Sequence, residues 1–312
     1  MLLLCNYYFW KMKASQHKSD GQLAASELVL TDNGAVYHLN LHPHQIAPNI
    51  IVVGDQGRVE KVSKYFDHID HRVSNREFVT HTGRIGSVPI TAMSTGIGTD
   101  NIDIVMNELD ALVNIDLQNR VILPEHTSLN IVRLGTSGAL QQDLGVDEFL
   151  LSTHGLGLDQ VLNYYQCEFE KEELELRDAF FQHTNWPQDM GSPYMVAAGK
   201  KLFERIDGPE MNHGITATAC GFYGPQGRML RLPTRLPNLN EQLSSFKHRG
   251  FRVTNFEMET SALYGLGGML GHQTATVCTI IANRMRMEFS RDYHAAVDRM
   301  IRVVLERLTS GY

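Results

Sequence analysis

Asn49-Ile50-Ile51-Val52-Val53-Gly54-Asp55-Gln56-Gly57-Arg58 decides the fold. An apolar, β-branched run that stops at Gly54-Asp55 reads as a short strand buried on both faces. Immediately beyond it Val59, Val62, Ser63 and Phe66 recur at helical spacing. A strand buried on both faces and followed by a helix is the unit of a largely parallel sheet covered on both sides.

The same alternation continues outward. Val88 to Met93 reads as a strand running into Ser94-Thr95-Gly96-Ile97-Gly98. Asp100 or Asn101 is placed to cap the next helix, whose Ile102, Val105, Met106, Leu109, Leu112 and Val113 form one apolar face. Leu129 to Leu134, Glu148 to Thr153, Gly214 to Ala219 and Thr274 to Ile281 are further strands. Pro193 to Ile206, an amphipathic Glu257 to Leu270 stopped by Gly271, and Asp292 to Leu308 read as helices. The acidic stretch Glu168 to Asp178 reads as a solvated face. No Pro-, Gly- or Ser-rich linker divides the chain, so residues 33–312 are expected to form one domain. Residues 1–32 are expected to be a flexible tail outside the core. Met1 to Trp10 is apolar but lacks basic residues before it and a cleavage site after it, and is too short to span a bilayer.

Composition narrows the function. With 28 Lys+Arg against 35 Asp+Glu, the net charge of -7 argues against a nucleic-acid binder or a membrane-surface protein. Cys5, Cys167, Cys220 and Cys278 are far apart and form no CxxC pair, which reads as free thiols in a reducing, cytoplasmic setting. HExxH, GxSxG and Walker A patterns are absent, which argues against a catalytic transition metal, a serine hydrolase and a P-loop.

Three strand ends carry glycine beside polar or basic residues: Gly54 to Arg58, Ser94 to Gly98, and Arg133-Leu134-Gly135-Thr136-Ser137-Gly138. Ligands bind beyond the carboxyl ends of strands in such sheets, and glycine lets backbone N–H groups approach an anion. With Arg58 and Arg133 the set reads as a phosphate site, although each loop alone is better explained by a tight strand-to-helix turn. Asn255-Phe256-Glu257-Met258-Glu259 places two carboxylates where they could grip sugar hydroxyls, or simply complement a helix dipole. Phe222-Tyr223-Gly224-Pro225-Gln226-Gly227-Arg228 offers an aromatic face, an amide and a guanidinium for a planar base, or a Gly-Pro turn.

The ordered set of His38, GDQGR (54–58), SNREF (74–78), STGIG (94–98), RLGTSG (133–138), FYGPQGR (222–228), NFEMET (255–260) and IIANR (280–284) resembles the nucleoside phosphorylase-I family, most of all its uridine-acting branch. The resemblance implies an α/β three-layer sandwich in which a central mixed sheet, bent into a distorted barrel, is flanked by helices. It implies phosphorolysis of uridine to uracil and ribose 1-phosphate, with phosphate as co-substrate and no organic cofactor. Gly54, Arg58, Arg76, Arg133 and Thr136 would bind phosphate, Arg76 from a neighbouring subunit. His38, Thr136, Glu257, Met258 and Glu259 would hold ribose, His38 again from the neighbour. Gly138, Phe222, Gln226, Arg228 and Arg284 would face the base. Arg133, Glu259 and Arg228 would carry the chemistry. A homodimer or a trimer of dimers follows from the shared site. A monovalent cation near Glu77 stays open, because Asn101 stands where that site usually has a small hydroxyl residue. The alternatives are a purine nucleoside phosphorylase, a nucleosidase, and a non-catalytic nucleoside binder. Ala282-Asn283-Arg284 lacks the carboxylate a purine-acting relative uses, and the arginine set argues against hydrolysis by water.

Overall fold

The structure is a computed structural model and describes residues 21–310. In chain order the first half contains β1 (Asn49–Val53), α1 (Gln56–Ser63), β2 (His68–Asn75), β3 (Phe78–Ile85), β4 (Val88–Ser94), α2 (Thr99–Asn114), β5 (Ile115–Asp116), β6 (Val121–Ile122), β7 (Asn130–Ala139) and β8 (Phe149–Gly157). The second contains α3 (Lys171–Thr184), β9 (Tyr194–Ala197), α4 (Lys200–Ile206), β10 (Met211–Thr218), α5 (Leu239–Ser245), β11 (Lys247–His248), β12 (Phe251–Glu257), α6 (Thr260–Met269), β13 (Gln273–Asn283), β14 (Glu288–Phe289) and α7 (Tyr293–Thr309).

The central sheet runs β11-β12-β10-β8-β13-β7-β1-β4-β3-β2, with β9 on β8 and β14 on β13. It is mixed. β1 lies parallel to β4 and β7, whereas β13 is parallel to β7 and antiparallel to β8. β12 also pairs back onto β7 through Asn255 opposite Ala139 and Phe256 opposite Gly138. The strands β7, β13, β8, β10 and β12 therefore close into a ring, the distorted barrel expected of this fold class.

The opening apolar run explains the layering. Side chains alternate across a strand, so Ile50 and Val52 pack with α2 and α6 through Ile102, Val105, Met106, Leu263 and Leu266. Ile51 and Val53 face the other layer, against Val59 and Val62 of α1 and Val297, Ile301 and Val304 of α7. Cutting one of the buried Ile, Leu or Met side chains among these to alanine costs about 2–5 kcal/mol.

Several sequence expectations are corrected. Pro193 to Ile206 is not one helix: Tyr194–Ala197 joins the sheet beside β8, and only Lys200–Ile206 is helical. The buried Tyr194 and Met195 find their partners in the sheet, which local periodicity does not reveal. Glu257 ends β12, so α6 starts later than expected, and residues 260–267 are buried on all sides. α6 is thus a core helix and not an amphipathic one. α2 is capped by neither Asp100 nor Asn101; Gly98 is its N-cap, and the Gly98 N–H donates to Glu259 Oε1 at 2.8 Å. The acidic stretch is only partly solvated, since Leu176 is buried and Glu173 Oε1 accepts the Ala197 N–H at 2.7 Å. Residues before 33 do not all lie outside the core: Leu28 is buried in it, with Leu23 and Leu30 packed alongside. Residues 1–20 of the expected tail lie outside the described residues.

Candidate active site

The carboxyl ends of β1 and β7, the end of β12 and the 222–228 loop surround a cavity of about 690 Å³. Gly54, Arg58, Glu77, Asn101, Arg133, Thr136, Gly138, Phe222, Gln226, Arg228, Glu257, Met258 and Glu259 all line it. Residues up to 205 positions apart thus meet in one place because the ring of strands closes. Three expected residues do not line it: His38, Arg76 and Arg284.

Arg133 sits mid-sheet opposite Val52 and Thr276. Its guanidinium pairs with the carboxylate of Glu259, lies 3.2 Å from Glu257 Oε2, and donates to Cys278 Sγ at 3.4 Å. Burial alone would lower its pKa, but Glu259 and Glu257 outweigh that and raise it, so Arg133 stays charged. Gly135 makes this pose possible, because a Cβ there would overlap the Arg133 guanidinium and come 2.9 Å from Cys278 Sγ. Arg58 donates to the Leu134 carbonyl at 3.1 Å. Burial, then the charge of Arg133, lowers the Arg58 pKa, and an anion between the two arginines would relieve both effects.

The two carboxylates have different tasks. Glu257 accepts the Thr218 hydroxyl at 2.7 Å and the N–H groups of Glu259 and Thr260 at 2.9 Å. Its oxygens are occupied by the start of α6, so Glu257 is a positioning residue as well as a cavity wall. Among the described residues the Glu259 carboxylate takes only the Gly98 N–H and Arg133. Burial pushes its carboxyl above the ordinary range, against the pull of Arg133.

At the other end Gln226 is buried, and its Oε1 accepts from Arg228 at 2.6 Å and Arg284 at 3.1 Å. Arg284 also donates to the Gln226 carbonyl, so it acts through Gln226 from outside the cavity. Two guanidiniums on the oxygen fix the amide and leave its NH₂ to be the donor. Arg228 lies 3.8 Å over the half-exposed Phe222 ring, a cation–π arrangement. Burial, then the neighbouring charge of Arg228, lowers the Arg284 pKa to about 10.

Arg76 borders the cavity without lining it, its carbonyl accepting from the cavity residue Gln56 at 2.8 Å, and His38 does not line it either. The His38 ring Nδ1 is 2.6 Å from Glu108 Oε1, so the carboxylate holds the proton on Nδ1 and frees Nε2. Arg76 has a left-handed backbone (φ 53°) and stacks over Tyr37. Sequence reasoning missed Glu108, Thr218 and Cys278. None lies in a motif, and only the folded chain brings each to its partner. A larger, mostly apolar cavity of about 920 Å³ lies beside the first and shares Arg228. It also takes Tyr223, Gly224 and Pro225 from the 222–228 loop but none of the phosphate- or ribose-motif residues, so the smaller one is the candidate active site. No helix among the described residues is long and apolar enough to cross a membrane.

Residues 48–309 match the family model described as the phosphorylase superfamily. The chain belongs to the phosphorylase superfamily. Among its relatives in the superfamily is the uridine phosphorylase of Thermococcus kodakarensis, 29% identical over 86% of this chain and 85% of that protein. The uridine phosphorylase of Escherichia coli is 28% identical over 81% of this chain and 88% of that protein. The crystal structure of a Trypanosoma brucei nucleoside phosphorylase, described as having uridine phosphorylase activity, superposes with a TM-score of 0.82 at 31% identity. It covers 91% of this chain and all of that one.

Proposed function

We propose that this protein catalyses reversible phosphorolysis of uridine to uracil and ribose 1-phosphate, as a pentosyltransferase. One observation carries the reading: a single cavity is lined by an arginine pair suited to an anion, a carboxylate held by Arg133 and the Gly98 N–H, and an amide–guanidinium pair suited to a base edge. Phosphate, held by Arg58 and Arg133 over Gly54 and Thr136, would form a bond to the anomeric carbon as the glycosidic bond breaks. The electron pair goes to the uracil ring, where Arg228 and the Gln226 NH₂ would meet the charge on its oxygens. Glu259 would accept ribose hydroxyls once phosphate competes for Arg133, and its charge favours the oxocarbenium-like transition state. No organic cofactor enters this reaction.

The wall near Asn283 favours a pyrimidine. Asn283 Nδ2 donates to the Gln141 and Leu144 carbonyls at 2.8 and 2.7 Å, and its Oδ1 accepts two backbone N–H groups. Its neighbours Ile281 and Ala282 are the residues that reach the cavity, so nothing there can protonate a purine. His38 and Arg76 do not line their own cavity. That fits the same two side chains completing the site of a second subunit, in a homodimer or trimer of dimers. The free thiols Cys167, Cys220 and Cys278 fit a reducing cytoplasm.

The test follows loss of uridine, thymidine and inosine with and without phosphate. The expected result is phosphate-dependent cleavage with uridine preferred over inosine. Cleavage without phosphate, or a preference for inosine, would overturn the proposal.

A further inference from the structure

We propose that Asp110, His126 and His272 hold a divalent transition-metal ion of the zinc class, at the end of the sheet opposite the cavity. One potential ligand atom from each of the three lies within 4.8 Å of the others. His272 directly precedes β13, whose far end lines the cavity, and Asp110 lies in the last turns of α2, whose first residues do the same.

The buried member is the telling one. The His272 side chain is 0% exposed, and its Nε2 lies 3.3 Å from Asp110 Oδ1. That nitrogen nevertheless makes no hydrogen bond. A buried polar atom without a partner is costly and rare. Two ligands of a tetrahedral zinc, each about 2.0–2.2 Å from the ion, are themselves about 3.3 Å apart. The Nε2–Oδ1 spacing is therefore that of two ligands of one ion.

The surroundings are those of metal ligands. His126 Nε2 lies 2.8 Å from the Leu270 carbonyl, which fixes its proton there and leaves Nδ1 as a free lone pair. Asp110 Oδ1 accepts from Asn114 at 2.7 Å, and Asn114 also binds the backbone N–H of Thr127 next to His126. His272 Nδ1 takes the Leu129 N–H at 3.2 Å, so without metal the ring proton sits on Nε2. Ligation at Nε2 would move that proton to Nδ1, give up this bond and turn the new N–H toward the Leu129 N–H, a cost that the metal bonds must exceed. The exposed His126 leaves one side of the ion open to water. Two imidazoles and a carboxylate suit zinc, cobalt or nickel better than magnesium or calcium. An ion there would tie the far ends of α2 and α6, the two helices whose near ends carry Gly98 and Glu259, which does not depend on the proposed substrate.

The experiment titrates chelator-stripped, full-length protein with Zn²⁺ alone and with Co²⁺, whose visible absorption reports four-coordination. The expected result is one ion per chain and a Tm raised by roughly 4 °C at about a hundredfold excess of Zn²⁺ over Kd. Both D110N and H126A should bind at least about tenfold more weakly. His126 is exposed, so H126A keeps the metal-free Tm. A His42→Ala, His44→Ala variant controls for the ring cluster of His42, His44 and His71 elsewhere on the surface. Absence of binding overturns the proposal. So does binding that D110N and H126A leave unchanged, or that only the His42/His44 variant removes.

Discussion

Arg228 and Arg284 converge on one amide oxygen yet have separable tasks, and a double-mutant cycle distinguishes them. Arg228 lines the cavity and would donate to the departing base directly. Its loss removes a donor to developing negative charge, a change that typically costs about 10²–10³ in rate. Arg284 does not reach the cavity; it holds the Gln226 carbonyl and, at 3.1 Å, its Oε1. Removing one charge-assisted hydrogen bond costs about 1.5–3 kcal/mol, which is roughly ten- to a hundredfold in kcat/KM if it falls wholly on positioning. In Arg284→Ala the Gln226 oxygen still has Arg228 at 2.6 Å, so its loss should be the smaller. The two act through the same amide, so the double variant should lose less than the product of the single losses. The assay is the absorbance change on uridine phosphorolysis at saturating phosphate, with kcat and KM separated. Near-normal turnover by Arg228→Ala, or single losses that multiply in the double variant, would refute the reasoning.

Two other outcomes follow from the geometry. Gly135→Ala should push the Arg133 guanidinium off Glu259 and Glu257 and raise the phosphate KM by about tenfold or more, measured by steady-state kinetics; an unchanged KM would mean that Arg133 does not position phosphate. His154 is buried against Phe251, and burial lowers its pKa below the ordinary 6.5. The unfolded chain therefore takes up its proton first, so this histidine's contribution is complete above about pH 6.5 and is lost as pH falls below it. Thermal melts should steepen in their pH dependence on the acid side, and His154→Leu should flatten that limb; an unchanged slope would rule the histidine out.

Much of the fold was legible where local pattern and tertiary role agree. The strand Asn49–Val53 and the final helix from its Asp292 cap were readable because burial on both faces, or on one stripe, writes itself into the sequence. Tyr194–Ala197 was not, since a four-residue strand takes its identity from the β8 edge it joins. The candidate site was legible as separate motifs, each ambiguous. What the sequence could not disclose is the pairing inside the site. Glu257 and Glu259 look alike in NFEMET, and only the folded backbone makes one the anchor of α6 and the other the partner of Gly98 and Arg133. Likewise the Glu108 carboxylate reaches His38 across 70 positions of chain, a distance no motif spans.

The closing seam of the barrel has a kinetic consequence. Gly138 and Phe256 are neighbours on one rung, and Asn255 Nδ2 donates to Ser137 at 2.9 Å, yet 118 residues separate that donor from its acceptor. Loop-closure entropy makes such distant contacts slow to form. The motif of β7 and the motif after β12 are mere strand ends until that seam zips. During refolding, helical signal can therefore return well before turnover does. Recovery of activity times the moment at which the two halves of the chain find each other.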